Sequence, residues 1–185
     1  MKSEWTIPIR SDGADRVALT FGDPANALQP ADKYALQPLP EAIANWNTII
    51  PLLKQDHEYD ITAFYSKRKT NLTKDAEQAL FEANQGAFDA AKKKDGLILY
   101  FQGVLLSNAN ETISPDLHLS FVPNCMSFCI WNTLQEAKAG AKITEHKEAA
   151  RQLSKWYDAF AIEKFQLTKK AKTIVFKKTN YVTLS

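Results

Sequence analysis

His146 is the residue in this sequence best suited to moving a proton. With Ala149, Ala150, Leu153, Trp156, Tyr157 and Phe160 it forms an apolar series at the spacing of one helix face. Thr144 can cap that helix, which places His146 in the first turn, facing inward. The positive end of the helix dipole disfavours the imidazolium, so the ring is expected to be neutral. A neutral histidine beside an apolar pocket could serve as a general base or as a cofactor ligand. The structural alternative is a half-buried histidine satisfied by a backbone carbonyl or a nearby carboxylate.

A second set of reactive residues lies on the run from Cys125 to Trp131. Side chains alternate across a sheet, so Cys125, Ser127, Cys129 and Trp131 share one face and Met126, Phe128 and Ile130 the other. If the uniformly apolar set packs under the helices, the Cys/Ser/Trp stripe lies on the opposite face. If the assignment is reversed, Trp131 and His146 border one cavity. Both arrangements are compatible with the pattern. Tyr65, Tyr100 and Ser66 could present hydroxyls to such a cavity, although buried tyrosines more often contribute ring area. Neither cysteine has a flanking Lys, Arg or His to lower its thiol pKa, which argues against a cysteine nucleophile. Four residues apart on one strand, they are also too distant for a disulfide.

Other chemistries lack their residues. The histidines at 57, 118 and 146 are not at ligand spacing, so no metal is expected. The six glycines contain no Gly-x-Gly, so no phosphate loop is expected. Glu145 and Glu148 sit where a helix dipole alone explains them. No cofactor is implied by the residues themselves.

The elements that would position these groups are legible from about residue 58 onward. Tyr59 to Ser66 is rich in β-branched and aromatic residues and reads as a strand. Thr73 or Asn71 can cap a helix with Ala76, Leu80, Ala83, Ala87 and Ala91 on its apolar stripe, ended by Asp95-Gly96. Leu97 to Leu106 reads as a strand buried on both faces, and Cys125 to Trp131 as the next. Thr133-Leu134-Gln135-Glu136 has the form of a capping box. It opens a helical tract that Gly140 interrupts before the His146 helix. A last strand spans Ile162 to about Leu167, with Thr173 to Phe176 extending it or beginning another. The order β-α-β-β-α-β predicts an α+β domain, a four-stranded antiparallel sheet with both helices on one face.

Residues 1–57 read differently, as an amino-terminal arm packed on a domain of residues 58–185. Gly13, Gly22, Pro24, Pro30 and Pro38 punctuate the arm. Arg16 to Phe21 alternates like a short strand, and residues 40–50 suit one short amphipathic helix stopped near Pro51. An arm of that length needs a surface to cover.

Bulk composition excludes several classes. A chain of 185 residues with 45% apolar and 24% charged residues can bury a core unaided. The net charge of +2 gives no field that would draw the chain to nucleic acid or anionic lipid. The run Lys92-Lys93-Lys94 fits a helix C-terminus. No apolar stretch is long enough to span a bilayer, and the polar amino terminus does not suit a signal peptide. Two unpaired cysteines agree with a reducing, cytoplasmic setting.

Several segments carry a family resemblance: Ala63-Phe64-Tyr65-Ser66, Gly96 to Phe101, Ser127 to Trp131, Glu145 to Arg151, and Tyr157 with Glu163 to Leu167. Together, over roughly residues 61–167, the chain resembles a family of small fungal and bacterial proteins of unassigned function. More distantly, a strand ending in Trp followed by a helix carrying His is similar to the dimeric α+β barrel superfamily, whose fold is ferredoxin-like. That group includes antibiotic-biosynthesis monooxygenases, polyketide cyclases and haem-degrading enzymes. The Trp131-to-His146 interval is long for the haem-degrading members, and their catalytic Asn has no counterpart in residues 59–66.

The resemblance implies a homodimer in which the sheet face away from the helices meets a second copy. It also implies binding of a small apolar or aromatic molecule by a protein acting as a metal-independent cyclase, isomerase or monooxygenase. His146 would then be catalytic, and Trp131, Tyr65, Tyr100 and Ser66 would bind substrate. The alternative is a non-catalytic oligomeric binding or scaffold protein. Binding to nucleic acid through an RNA-recognition-type sheet is disfavoured, because the aromatic signature strand is absent.

Overall fold

The structure is a computed structural model that describes residues 2–9, 28–107 and 111–184, with side chains as far as residue 180. The strand expected at Arg16 to Phe21 lies outside the described residues. The chain forms β1 (Glu4–Pro8), α1 (Leu39–Ala42), β2 (Glu58–Arg68), α2 (Lys74–Lys92), β3 (Leu97–Gln102) and β4 (Cys125–Trp131). There follow α3 (Leu134–Gly140), α4 (Thr144–Arg151), α5 (Leu153–Trp156), β5 (Tyr157–Lys169) and β6 (Thr173–Leu184). Short 3-10 turns occupy Tyr34–Leu36 and Trp46–Leu52.

Local chemistry sets the helix ends. The Thr73 hydroxyl accepts a hydrogen bond from the Ala76 amide at 3.2 Å, and Asp75 and Glu77 occupy the first turn of α2. Thr133 caps α3 in the same way, accepting from the Glu136 amide at 3.2 Å while its hydroxyl donates to the Glu136 carboxylate at 2.8 Å. Between α2 and β3 the chain turns at Gly96, whose φ of 93° favours glycine.

One sheet holds six antiparallel strands in the order β1-β6-β5-β2-β4-β3. Its inner run β5-β2-β4-β3 is the ferredoxin-like arrangement expected from the β-α-β-β-α-β order. β6 and β1 widen it by two strands. Thr173 to Phe176 therefore begins a new strand, and the start of the arm joins the sheet as an edge.

The helix expected to run from Thr144 through Phe160 stops early. α4 ends at Arg151, α5 is a single turn, and the chain is extended from Tyr157 onward. Pairing decides this: β2 needs a neighbour along its whole length, and its last residue, Arg68, pairs with Tyr157. Residues 160 to 167 alternate with period two, and an irregularity at Asp158 carries the strand pairing back to Tyr157. In the same way β3 ends at Gln102 rather than Leu106, and Ile143, not Thr144, precedes the first turn of α4.

Of the two sheet faces, the helices cover the Cys/Ser/Trp one, although neither Trp131 nor His146 lines a cavity among the described residues. Met126, Phe128 and Ile130 join Tyr34, Leu39, Trp46 and Ile49 in one core cluster, so the uniformly apolar face is covered by residues 28–53. The Cys/Ser/Trp face turns toward the helices, where Trp131 packs with Ala91 and Ala137. The face that the resemblance assigns to a second subunit is thus occupied by the chain's own segment. The same cluster takes in Trp5 of β1, so arm and sheet share a core.

Candidate functional site: a cleft between sheet and helices

The two registers of the central strands differ sharply in exposure. Ile61, Ala63, Tyr65, Met126, Phe128 and Ile130, which face residues 28–53, are all 0% exposed. Thr62, Phe64, Ser66, Cys125, Ser127 and Cys129, on the helix side of the same strands, are all partly exposed. β2 and β4 lie inside the sheet, so solvent reaches that register only from between the sheet and the helices. α2 packs on β3, α3 on β2 and β4, and α5 on β5, so the helices partly cover this face and these residues are the floor of the cleft between.

Strand pairing arranges the floor in cross-strand rows. Asp60 and Trp131 form the first row, with Gln166. Lys164, Thr62, Cys129 and Tyr100 form the second, and Ile162, Phe64 and Ser127 the third. Phe160, Ser66 and Cys125 complete it. The two charged residues, Asp60 and Lys164, lie in the first two rows, and each row holds one aromatic ring. α2 closes over one side by packing Phe88 on Tyr100, with ring centroids 5.0 Å apart. Toward the Phe160 end a cavity of about 290 Å³ opens, lined by Ala150, Arg151, Ser154, Tyr157, Ala159 and Phe160 among others.

Burial determines the protonation of the floor. Desolvation raises the Tyr100 hydroxyl above its ordinary pKa, and the hydrogen bond with Ser127 only partly opposes it. Tyr157 is raised for the same reason, with its hydroxyl bonded to Asn84 of α2. Both tyrosines remain protonated donors at neutral pH. Cys129 is pushed up to about 11 by burial, against the hydrogen bond from the Trp131 indole. Its thiol donates weakly to the Thr62 carbonyl at 3.7 Å, and that of Cys125 to the Gly103 carbonyl at 3.6 Å. Neither thiol is poised as a nucleophile. Asp60 is also raised, by desolvation, with Lys164 and Lys138 opposing, and its Oδ1 is buried without a partner among the described residues.

The five residues singled out in the sequence are distributed as follows. Tyr100 and Ser66 share the cleft floor. Trp131 ends that floor, 3% exposed, with its indole N–H donating to Cys129 Sγ at 3.1 Å. Tyr65 lies on the opposite face, fully buried, and its hydroxyl donates to the Gln37 carbonyl at 3.1 Å. His146 is half-buried on α4, which packs against α2. It does not line the 290 Å³ cavity, but Ala150, one turn further along the same helix face, does. Its Nδ1 is buried with no hydrogen-bond partner among the described residues.

Burial lowers the His146 pKa below its ordinary 6.5, with Glu145 pulling weakly the other way. Protonation therefore favours the unfolded chain. Stability from this group is present above about pH 6.5 and falls as pH drops toward the folded pKa. His146→Gln is expected to flatten the dependence of melting temperature on pH between 5 and 7. An imidazole titrating at or above 6.5 by NMR would contradict this.

The floor residues of β5 (Phe160, Ile162, Lys164 and Gln166) escaped the sequence reading, as did Asp60, Thr62 and Phe64 of β2. The signal on β5 was the alternation Phe160-Ile162-Lys164-Gln166 against Ala161-Glu163-Phe165-Leu167, masked because the first of these residues also fit a helix. Among the described residues there is no group of three His, Cys, Asp or Glu that could hold a metal ion, and no helix is long and apolar enough to cross a membrane.

Comparisons with other proteins place the chain in context. A family model described as PB2B2.08-like matches residues 12–178. No curated protein matches. Among solved structures, a dimeric ferredoxin-like protein of unknown function from Bacteroides fragilis is similar, at 16% identity and a TM-score of 0.42, over 58% of this chain and 95% of that one. One of the same description from Thermobifida fusca is similar at 10% identity and a TM-score of 0.42, over 61% and 94%. A candidate antibiotic biosynthesis monooxygenase from Nitrosomonas europaea is similar at 13% identity and a TM-score of 0.36, over 68% and 93%.

Proposed function

We propose that this chain, which belongs to the PB2B2.08-like family, binds a small apolar or aromatic molecule in the cleft between its sheet and helices. The observation that carries this reading is the contrast between the two registers of β2 and β4, one at 0% exposure and the other partly exposed from Thr62 to Ser66 and from Cys125 to Cys129. A sheet centre left accessible under a layer of helices and floored by Ser66, Ser127, Phe64 and Tyr100 has the mixed lining typical of ligand sites. Tyr100 and Tyr157 supply protonated donors, and a neutral His146 stands one turn from the cavity. This set suits metal-independent proton-transfer chemistry such as cyclisation or isomerisation.

A neutral fluorescent naphthylamine tests the binding reading. The wild-type protein is expected to bind it saturably, near one molecule per chain. Ser127→Phe fills the third row of the floor and is expected to weaken binding at least tenfold with the circular dichroism spectrum unchanged. Absence of saturable binding, or binding indifferent to Ser127→Phe in a folded variant, would overturn the proposal.

A homodimer, implied by the resemblance, would have to use a surface other than the apolar sheet face, since residues 28–53 already cover it.

A further inference from the structure

The cleft floor carries one cation, Lys164, and its surroundings do not neutralise it. Lys164 projects from β5, an internal strand, in the helix-facing register opposite Thr62. It is partly exposed, and among the described residues no carboxylate lies within ion-pair distance of it. Its ammonium is near enough to Asp60 and Cys129 to act on both electrostatically. Asp60 offsets it only in part, because that one carboxylate is shared with a second cation, Lys138 of α3. The Asp60 end of the cleft therefore has two cations and one buried carboxylate. Lys164 thus offers a solvated ammonium without an ion-pair partner among the described residues, on the accessible side of the strand.

Resting on the ligand-binding reading above, we infer that the molecule bound in this cleft is an amphiphilic anion, its carboxylate held by Lys164 and its apolar body lying over Ile162, Phe64 and Phe160. The rows supply the length. Lys164 and Phe160 are four residues apart on β5, about 13 Å at the rise of a strand, which suits a fused-ring or short-chain acid. Thr62, in the same row as Lys164, adds a hydroxyl that can donate to a carboxylate oxygen. Ser127 and Ser66 supply donors or acceptors along the body. The arrangement discriminates against neutral isosteres through the ammonium and against cations by repulsion.

The test compares 2-naphthoic acid with 2-naphthamide, which share an aromatic body and differ in charge, by isothermal titration calorimetry. Wild type is expected to bind the acid at least tenfold more tightly than the amide. Lys164→Met should remove that preference by weakening the acid at least tenfold, whereas Lys164→Arg should keep it. Raised salt should weaken the acid alone. If both compounds bind equally and Lys164→Met alters neither, the anion inference fails while the cleft reading stands. If neither compound nor the naphthylamine binds wild type, the cleft reading itself fails and takes this inference with it. A melting curve for each variant separates loss of binding from loss of fold.

Discussion

Replacing Trp46 by alanine is expected to cost about 4 kcal/mol of folding stability, the range for emptying a buried aromatic site. The indole is 2% exposed, and its ring lies 5.5 Å from that of Phe128 and 4.8 Å from that of Phe176. Its N–H donates to the Pro40 carbonyl at 2.9 Å, which ties the 3-10 turn to α1. Trp46 thus joins residues 28–53 to the apolar sheet face across two strands that are not neighbours. No other local feature is as strong: Trp46–Leu52 is a 3-10 turn without a side-chain cap, broken by Pro51. Packing, not propensity, holds the segment in place.

Urea unfolding measures the cost directly, and in a domain of this size the expected loss of melting temperature is roughly 10 °C. Trp46→Phe separates the two contributions. It keeps most ring contact and leaves the buried Pro40 carbonyl unpaired, so about 1–3 kcal/mol should be lost. A change below 1 kcal/mol for the alanine variant would mean that residues 28–53 do not seal the face. The consequence of sealing is specific: a chain that covers its own sheet has no need of a second copy there. Trp46→Ala should also increase association, because Phe128 and Phe176 become accessible apolar surface.

The legibility of the fold in the sequence follows the physics of each element. α2 and β4 were readable because local rules and tertiary context agree there: a capping threonine, charges matched to the dipole, and strict alternation from Cys125 to Trp131. The tract from Thr144 to Phe160 misled because His146, Ala149, Ala150, Leu153, Trp156, Tyr157 and Phe160 all satisfy a helix, while the strand's own alternation begins only at Phe160, beyond an irregularity at Asp158. Only the eleven-residue length of β2, and its pairing to Tyr157, breaks the tie. β1 was hidden because a five-residue strand, Glu4–Pro8, ends in proline and gains its identity from β6, far along the chain. The site was half legible for a related reason. Alternation grouped Cys125, Ser127, Cys129 and Trp131 on one face, but nothing local says which face the helices take. Tyr65, read as a partner of Tyr100, stands one residue out of phase with Ser66 and so lies on the sealed face.

Gly140→Ala is expected to destabilise the protein by about 1–2 kcal/mol, although alanine is the better helix former by up to about 1 kcal/mol. A methyl group built on Gly140 would lie 2.5 Å from both Cζ2 and Cη2 of Trp131. Trp131 cannot retreat easily. It is 3% exposed, packed with Ala91 and Ala137, and its indole N–H is bonded to Cys129 Sγ. Gly140 is the last residue of α3, so its role is close approach rather than the simple interruption its identity suggested. Trp131→Phe removes the six-membered edge that the methyl would strike. In that background Gly140→Ala should be neutral or stabilising, and the reversal of sign gives a coupling energy of more than 1 kcal/mol in a double-mutant cycle. Equal effects in both backgrounds would show that the glycine is not there for the tryptophan. Trp131 ends the cleft floor and is bonded to Cys129 of the Lys164 row, so a displaced ring disturbs that end of the floor. Gly140→Ala should therefore weaken binding of 2-naphthoic acid as well as stability, whereas Trp46→Ala, acting on the sealed face, should reduce stability and leave the affinity of the folded protein unchanged.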